Sequence, residues 1–213
     1  MATAATAAGR VATVTQGVAT TAPGGDLFDE IYRRAAPVEK TLTTVSASFV
    51  ETTTSTLLKT PLVARGTLVG RRPRQVRLVY SGADARTVIV DGATLALDWP
   101  ARNIRETRDV GGMMKRAERF FLVSTPAELR KQFDIAAAVA PDRPGSWRVT
   151  FTPKRKQMRE GVSRVDLWID QSSLVLHALK MEYPGGDTRL MEFSDVRINP
   201  PVAADAFATA ARR

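Results

Sequence analysis

The chain has 213 residues, 44% of them hydrophobic, and a formal net charge of +9 from 31 Lys and Arg against 22 Asp and Glu. It contains no cysteine, which excludes disulfides and thiolate chemistry. No run approaches the roughly 20 apolar residues of a membrane-spanning helix.

Residues 1–25 are built mostly from Ala, Thr, Val and Gly, with a single Arg10. They lack a basic start and a continuous apolar centre, and read as a disordered tail or the remnant of an export signal. Residues 26–213 read as one domain. Asp26 can cap a helix that places Leu27, Ile31 and Ala35 on one side, with Phe28 close by. Pro37 interrupts or kinks that pattern, and Val38, Leu42 and Val45 continue its spacing for two more turns. The period changes at Ser46–Thr56, where Ala47, Phe49 and a Thr-rich run favour a strand.

Strand signals then dominate. Val63–Val69 follows Pro61, and Gly70–Pro73 is a turn. Val76, Leu78 and Tyr80 alternate with Gln75, Arg77 and Val79. Ser81–Asp84 is a loop, Thr87–Val90 a strand, Asp91-Gly92 a strong hairpin signal, and Leu95, Leu97 and Trp99 share a face. At Gly111-Gly112 the period becomes helical: Met113, Ala117, Phe120 and Phe121 form an apolar stripe opposite Lys115, Arg116 and Arg119. Thr125-Pro126-Ala127-Glu128 starts a second short helix that Leu129 and Phe133 extend. Alternating runs through Val149–Phe151, Val165–Ile169, Val175–Tyr183 and Met191–Phe193 complete the chain. The order predicts an α+β fold: a strongly curved antiparallel sheet with helices over its concave side.

Motifs in this order resemble a known family. They are Ser48-Phe49-Val50-Glu51, Gly66-Thr67-Leu68 leading to Arg72-Pro73, and Val88-Ile89-Val90-Asp91-Gly92. They continue with Phe151-Thr152-Pro153-Lys154, Val165 to Asp170, Asp187-Thr188 before Phe193, and Asn199 before Phe207. Over about residues 27–207 the chain resembles the LolA-type periplasmic lipoprotein carriers. The resemblance implies an unclosed β-barrel with a helical lid. It also implies a monomeric periplasmic carrier that takes acylated lipoprotein, or a related lipid, from an inner-membrane ABC exporter. Such a carrier shields the acyl chains in a hydrophobic cavity and passes them to an outer-membrane acceptor. No enzymatic activity, cofactor, metal or nucleic-acid partner is implied. Arg72 matches the basic position that helps hold the family's lid closed, and Val76 a bulky apolar position. Glu51 departs from the family's Gln-like residue.

The cavity and lid residues expected on this basis are Phe49, Leu68, Arg72, Val76, Leu78, Tyr80, Val88, Val90, Leu97, Trp99, Met113, Phe120, Phe121, Phe151, Leu167 and Met181. The physical demand is large. Each exposed methylene costs about 0.8 kcal/mol, so a chain of about fifteen carbons faces a penalty on the order of 12 kcal/mol. Met-containing helices over a loosely filled cavity reconcile shelter with release.

Other features point elsewhere less well. The single histidine, His177, lacks the partners of a triad or metal site. Asp166 and Asp170 share a strand face and read as solvent-facing rather than as a glycosidase pair. Arg71, Arg72, Arg74 and Arg77 form one basic cluster, and Lys154, Arg155, Lys156 and Arg159 another. Without interleaved aromatics these suit an anionic membrane or acidic partner better than nucleic acid. The alternative reading is therefore a basic binding module for anionic membrane or nucleic acid, with no internal lipid cavity.

Overall fold

The computed structural model describes residues 26–112 and 125–208. Two successive meanders make up the sheet. The first holds β1 (Thr44–Thr54), β2 (Leu62–Arg71), β3 (Gln75–Ser81), β4 (Arg86–Asp91), β5 (Thr94–Trp99) and β6 (Ile104–Asp109). The second holds β7 (Phe133–Val139), β8 (Ser146–Pro153), β9 (Arg164–Asp170), β10 (Leu176–Glu182) and β11 (Thr188–Ile198). β1 pairs with β11 from Val45↔Ile198 to Thr54↔Thr188, which fuses the meanders into one eleven-stranded antiparallel sheet. β6 and β7 are its two edges and do not pair with each other, so the curved sheet stays unclosed.

Residues directly opposite one another share a face. The register runs Ala47, Leu68, Leu78, Val88, Leu97 across the first meander. It runs Met191, Leu179, Leu167, Val149, Ala137 across the second. These rows lie on the same apolar face, because Met191 pairs with Glu51, two residues from Phe49 and four from Ala47. Gly66 lies opposite Tyr80. A Cβ there would stand 2.6 Å from Phe49 Cζ and would also strike the Val79 carbonyl. Glycine is what seats the Phe49 ring against this strand.

Helix α1 (Leu27–Thr41) crosses the apolar face. Asp26 accepts from the Phe28 amide, and Asp29 and Glu30 sit in the first turn, where the helix dipole favours negative charge. Pro37 lies inside α1, on its exposed side, and the helix continues past it. It ends at Thr41 rather than running on through Val45, which belongs to β1. Asn199 fixes this elbow: its Oδ1 accepts from the Thr43 amide at 2.8 Å, and its Nδ2 donates to the Thr41 carbonyl at 2.9 Å.

Helix α2 (Pro126–Gln132) has the expected capping box between Thr125 and Glu128. It stops one residue before Phe133, which starts β7 instead of extending the helix. A four-residue helix α3 (Lys156–Arg159) follows β8.

Further corrections concern β9 and β10. Asp166 is buried rather than solvent-facing, accepting from Thr150 Oγ1 at 2.5 Å and from Arg164. A bulge between Leu176 and Ala178 breaks the expected alternation and brings Leu176 to the apolar face beside Leu179.

Candidate functional site

Helix α1 covers the apolar face unevenly. Its N-terminal half seals the second meander. Phe28 and Ile31 pack with Leu129, Phe133, Trp147, Val149 and Phe151, all buried. The Phe151 ring meets Phe28 and Phe133 edge-on, with centroids 5.8 and 5.7 Å away, the geometry ring quadrupoles prefer. Arg130 on α2 braces this end by donating to Asp26 and Asp29, 2.7 Å each. The Arg130 hydrogen bond first, and then the one from the Phe28 amide, hold the Asp26 carboxyl below its ordinary range.

The C-terminal half of α1 stands off the sheet. Between it and β1, β2, β10 and β11 lies a cavity of about 390 Å³, walled by Val38, Leu42, Ala47, Leu68, Leu176 and Phe193 among others. Among the described residues only Glu39 brings a charge to its wall. Glu39 is tied across the opening to Arg72 Nη2 at 2.7 Å. Both side chains of this pair are well exposed, so it contributes about 0–1 kcal/mol. The ion pair at this cavity is therefore weak, and Arg72 is the position the family resemblance singles out.

A second cavity of about 720 Å³ opens at the far end of the same face, beneath the β3–β4 loop and the turn after β5. Its floor carries Glu51, 5% exposed. Tyr80 Oη donates to Glu51 Oε2 at 3.0 Å. Burial first, and then the neighbouring Glu51 charge, push the Tyr80 phenol up, so it stays a donor. Arg86 stacks on the Tyr80 ring at 3.6 Å and Arg102 on the Trp99 ring at 3.8 Å.

The predicted cavity residues fall into four sets. Phe49, Leu68, Val76, Leu78, Tyr80, Val88, Val90, Leu97 and Trp99 lie on the apolar face of the first meander. Phe151, Leu167 and Met181 lie on the same face of the second, with Phe151 and Leu167 in the packed cluster under α1. Met113, Phe120 and Phe121 lie outside the described residues. Arg72 sits at the β2–β3 turn on Glu39.

The register brings Glu51, Arg86 and Arg189 to this face beside those apolar residues, and sequence reading places none of the three in the site. The signal was available: Arg86 keeps the two-residue spacing of Val88 and Val90, Arg189 that of Met191 and Phe193, and Glu51 that of Ala47 and Phe49.

Arg71 donates to the Val202 and Ala203 carbonyls and Arg77 to that of Ala206, strapping the C-terminal segment across the outer face. Lys154 donates to the Arg130 carbonyl.

An unclosed antiparallel sheet with a helix over a partly open apolar face is an architecture that leaves room for an apolar ligand. Comparison with known proteins gives the family. The profile of the outer membrane lipoprotein carrier protein LolA matches residues 40–210, and the chain belongs to this family. An outer-membrane lipoprotein carrier protein of Albidiferax ferrireducens is 26% identical over 172 residues, covering 79% of this chain and 81% of the relative. Two solved structures share the fold. An uncharacterized conserved protein of Thermus thermophilus has a TM-score of 0.55 at 10% identity, covering 88% of this chain and 96% of that one. The Mycobacterium tuberculosis lipoprotein LppX has a TM-score of 0.52 at 17% identity, covering 84% and 98%.

Proposed function

We propose that this protein is a monomeric, non-enzymatic periplasmic carrier, with residues 26–213 as its single functional domain. It shields the acyl chains of lipoproteins, or of a related lipid, against the apolar face and moves them from the inner to the outer membrane. An inner-membrane ABC exporter is its donor and an outer-membrane protein its acceptor.

The observation that carries this reading is the apolar cavity of about 390 Å³ under the C-terminal half of α1, with Glu39 of its wall paired to Arg72. Its size lies in the range of small-ligand sites. Family membership and the lipoprotein carrier of Albidiferax ferrireducens support the same cargo class. An aliphatic wall binds acyl chains without directional bonds, so affinity scales with buried length. A weakly tied helix lets the wall open at little cost.

The test is purification without detergent, followed by lipid extraction and mass spectrometry, beside titration with an environment-sensitive fluorescent fatty acid. Bound acyl species and a fluorescence rise are expected. Val76→Glu places a charge on the apolar face and abolishes the rise while circular dichroism keeps its strand signature. Absence of any bound lipid and of any fluorescence change in the native protein overturns the carrier. Tight polyanion binding with a steep salt slope would then favour the basic module.

A further inference from the structure

The larger cavity, at the end of the apolar face away from the Arg72–Glu39 pair, is chemically unlike the smaller one. Four arginines and two carboxylates line it, a surplus of two positive charges. They pair only loosely, each contact spanning 3.7–3.9 Å. Arg102 Nη2 is 3.7 Å from Asp84 Oδ1, and Arg189 Nε is 3.9 Å from Glu51 Oε1. Neither distance is a hydrogen bond, and Arg102 and Arg189 make no closer contact with a carboxylate among the described residues. The guanidinium planes are nevertheless positioned. Trp99 supports Arg102, while Arg86, held between Tyr80 and Trp99, approaches Glu51 and Asp84 at 3.9 and 3.7 Å. Trp99 also lines this cavity, and its buried indole N–H has no acceptor among the described residues. Leu62 and Val63, each 58% exposed, form the apolar lip.

We infer that this cavity is a headgroup subsite that takes the phosphate-type oxyanion of an anionic amphiphile whose acyl chain lies along the apolar face. Forked donors on Arg102 and Arg189 match a tetrahedral oxyanion, and the stacking of Arg102 on Trp99 and the pairing of Arg189 with Glu51 lower the ordering cost of binding it. Glu51 and Asp84 keep an empty site from carrying the full charge of its arginines. The apolar lip and wall are what separate this from a site for free phosphate. The inference rests on the carrier reading and names the headgroup class of its cargo.

The experiment is calorimetric titration of the full chain with three probes below their aggregation concentrations where these exist: dodecyl phosphate, a neutral dodecyl glyceryl ether, and inorganic phosphate. Dodecyl phosphate is expected to bind about tenfold more tightly than the neutral ether, the worth of one good charge-assisted contact. Inorganic phosphate alone is expected to bind far more weakly than either. In the double variant Arg102→Gln/Arg189→Gln the anionic-to-neutral ratio falls to near one, and Arg102→Lys/Arg189→Lys restores most of it.

Equal affinity for both amphiphiles, or a preference that survives the double Gln variant, overturns the headgroup site and leaves the carrier standing. Inorganic phosphate binding as tightly as dodecyl phosphate also overturns it, in favour of a free-anion site. No binding of any amphiphile overturns the carrier reading itself.

Discussion

The two meanders use the same strand alternation and end differently. In the second, the apolar face carries Phe133, Trp147 and Phe151, and α1 adds Phe28; all four are buried. In the first, Phe49 and Tyr80 are buried near the join, but the rows beyond them, Val76, Leu78, Val88, Val90, Leu95 and Leu97, are each only half-buried. Large rings fill the space beneath a crossing helix, each burying about 150–250 Å². Around the open cavity the C-terminal half of α1 faces mostly aliphatic side chains, Val45, Leu68, Leu176 and Ile198 among them, and space is left. Pattern makes the sheet, and side-chain volume decides which part of its face is core and which is wall.

The largest expected effect tests that contrast directly. Phe151→Ala removes a ring wedged between Phe28 and Phe133 and should cost about 3–5 kcal/mol. Leu97→Ala, on the half-buried wall, should cost about 1 kcal/mol. Urea denaturation with matched m-values measures both, and similar losses would mean the first meander is packed as tightly as the second. Gly66→Ala comes next. It meets the Phe49 ring and the Val79 carbonyl, an overpacking cost of about 1–3 kcal/mol. Because Phe49 stands where β1 joins the two meanders, the near-UV signal of the tyrosines should change with it; a variant of native stability would show that the Phe49 seat is plastic.

Much of this architecture was legible because each internal strand is demanded by a buried face. Val76–Leu78–Tyr80 and Val88–Val90 show period two plainly, and Asp91-Gly92 forms the hairpin it predicts, with Gly92 at φ 59°. Both edge strands were illegible. β6 reads Ile-Arg-Glu-Thr-Arg-Asp, whose charges suit an edge that must not recruit another strand. β7 carries Ala136, Ala137 and Ala138, a run that favours helix by propensity and is overridden by pairing with β8. The basic mouth stayed hidden for a different reason. Arg86, Arg102 and Arg189 are far apart in sequence and meet only through register, while the contiguous arginines 71 and 77 are engaged with the chain's own carbonyls.

Arg72→Leu separates the cover from the core. Loss of an exposed pair should lower stability by about 0–1 kcal/mol, while fatty-acid loading or release changes severalfold because the tie across the cavity is gone. Stopped-flow fluorescence reads both directions. Wild-type rates in both would show that α1 is held shut by its N-terminal packing alone.

The last test lies at the β9–β10 turn, between the sealed core and the open cavity. The β9–β10 turn is organised by Asp170, whose Oδ1 accepts from the hydroxyl and amide of Ser172 at 2.6 and 3.0 Å and from the amide and hydroxyl of Ser173 at 2.7 and 2.8 Å. The Ser172 hydroxyl first, then Ser173, hold this carboxyl far below its ordinary value of 3.8. The turn carries Leu174 at φ 61°, a left-handed conformation it adopts only under constraint. Leu174 packs against the sealed core and also lines the open cavity. A depressed folded pKa gives stability that is fully present above pH 3.8 and is lost as pH falls through the folded value. Asp170→Ala should therefore cost about 1 kcal/mol at pH 7, with the gap to wild type narrowing only below about pH 3.8. Denaturation midpoints of both proteins across that range measure it. If the gap instead stays constant down to strong acid, the loss comes from removing the side chain rather than its charge, and the turn is held by Leu174 packing.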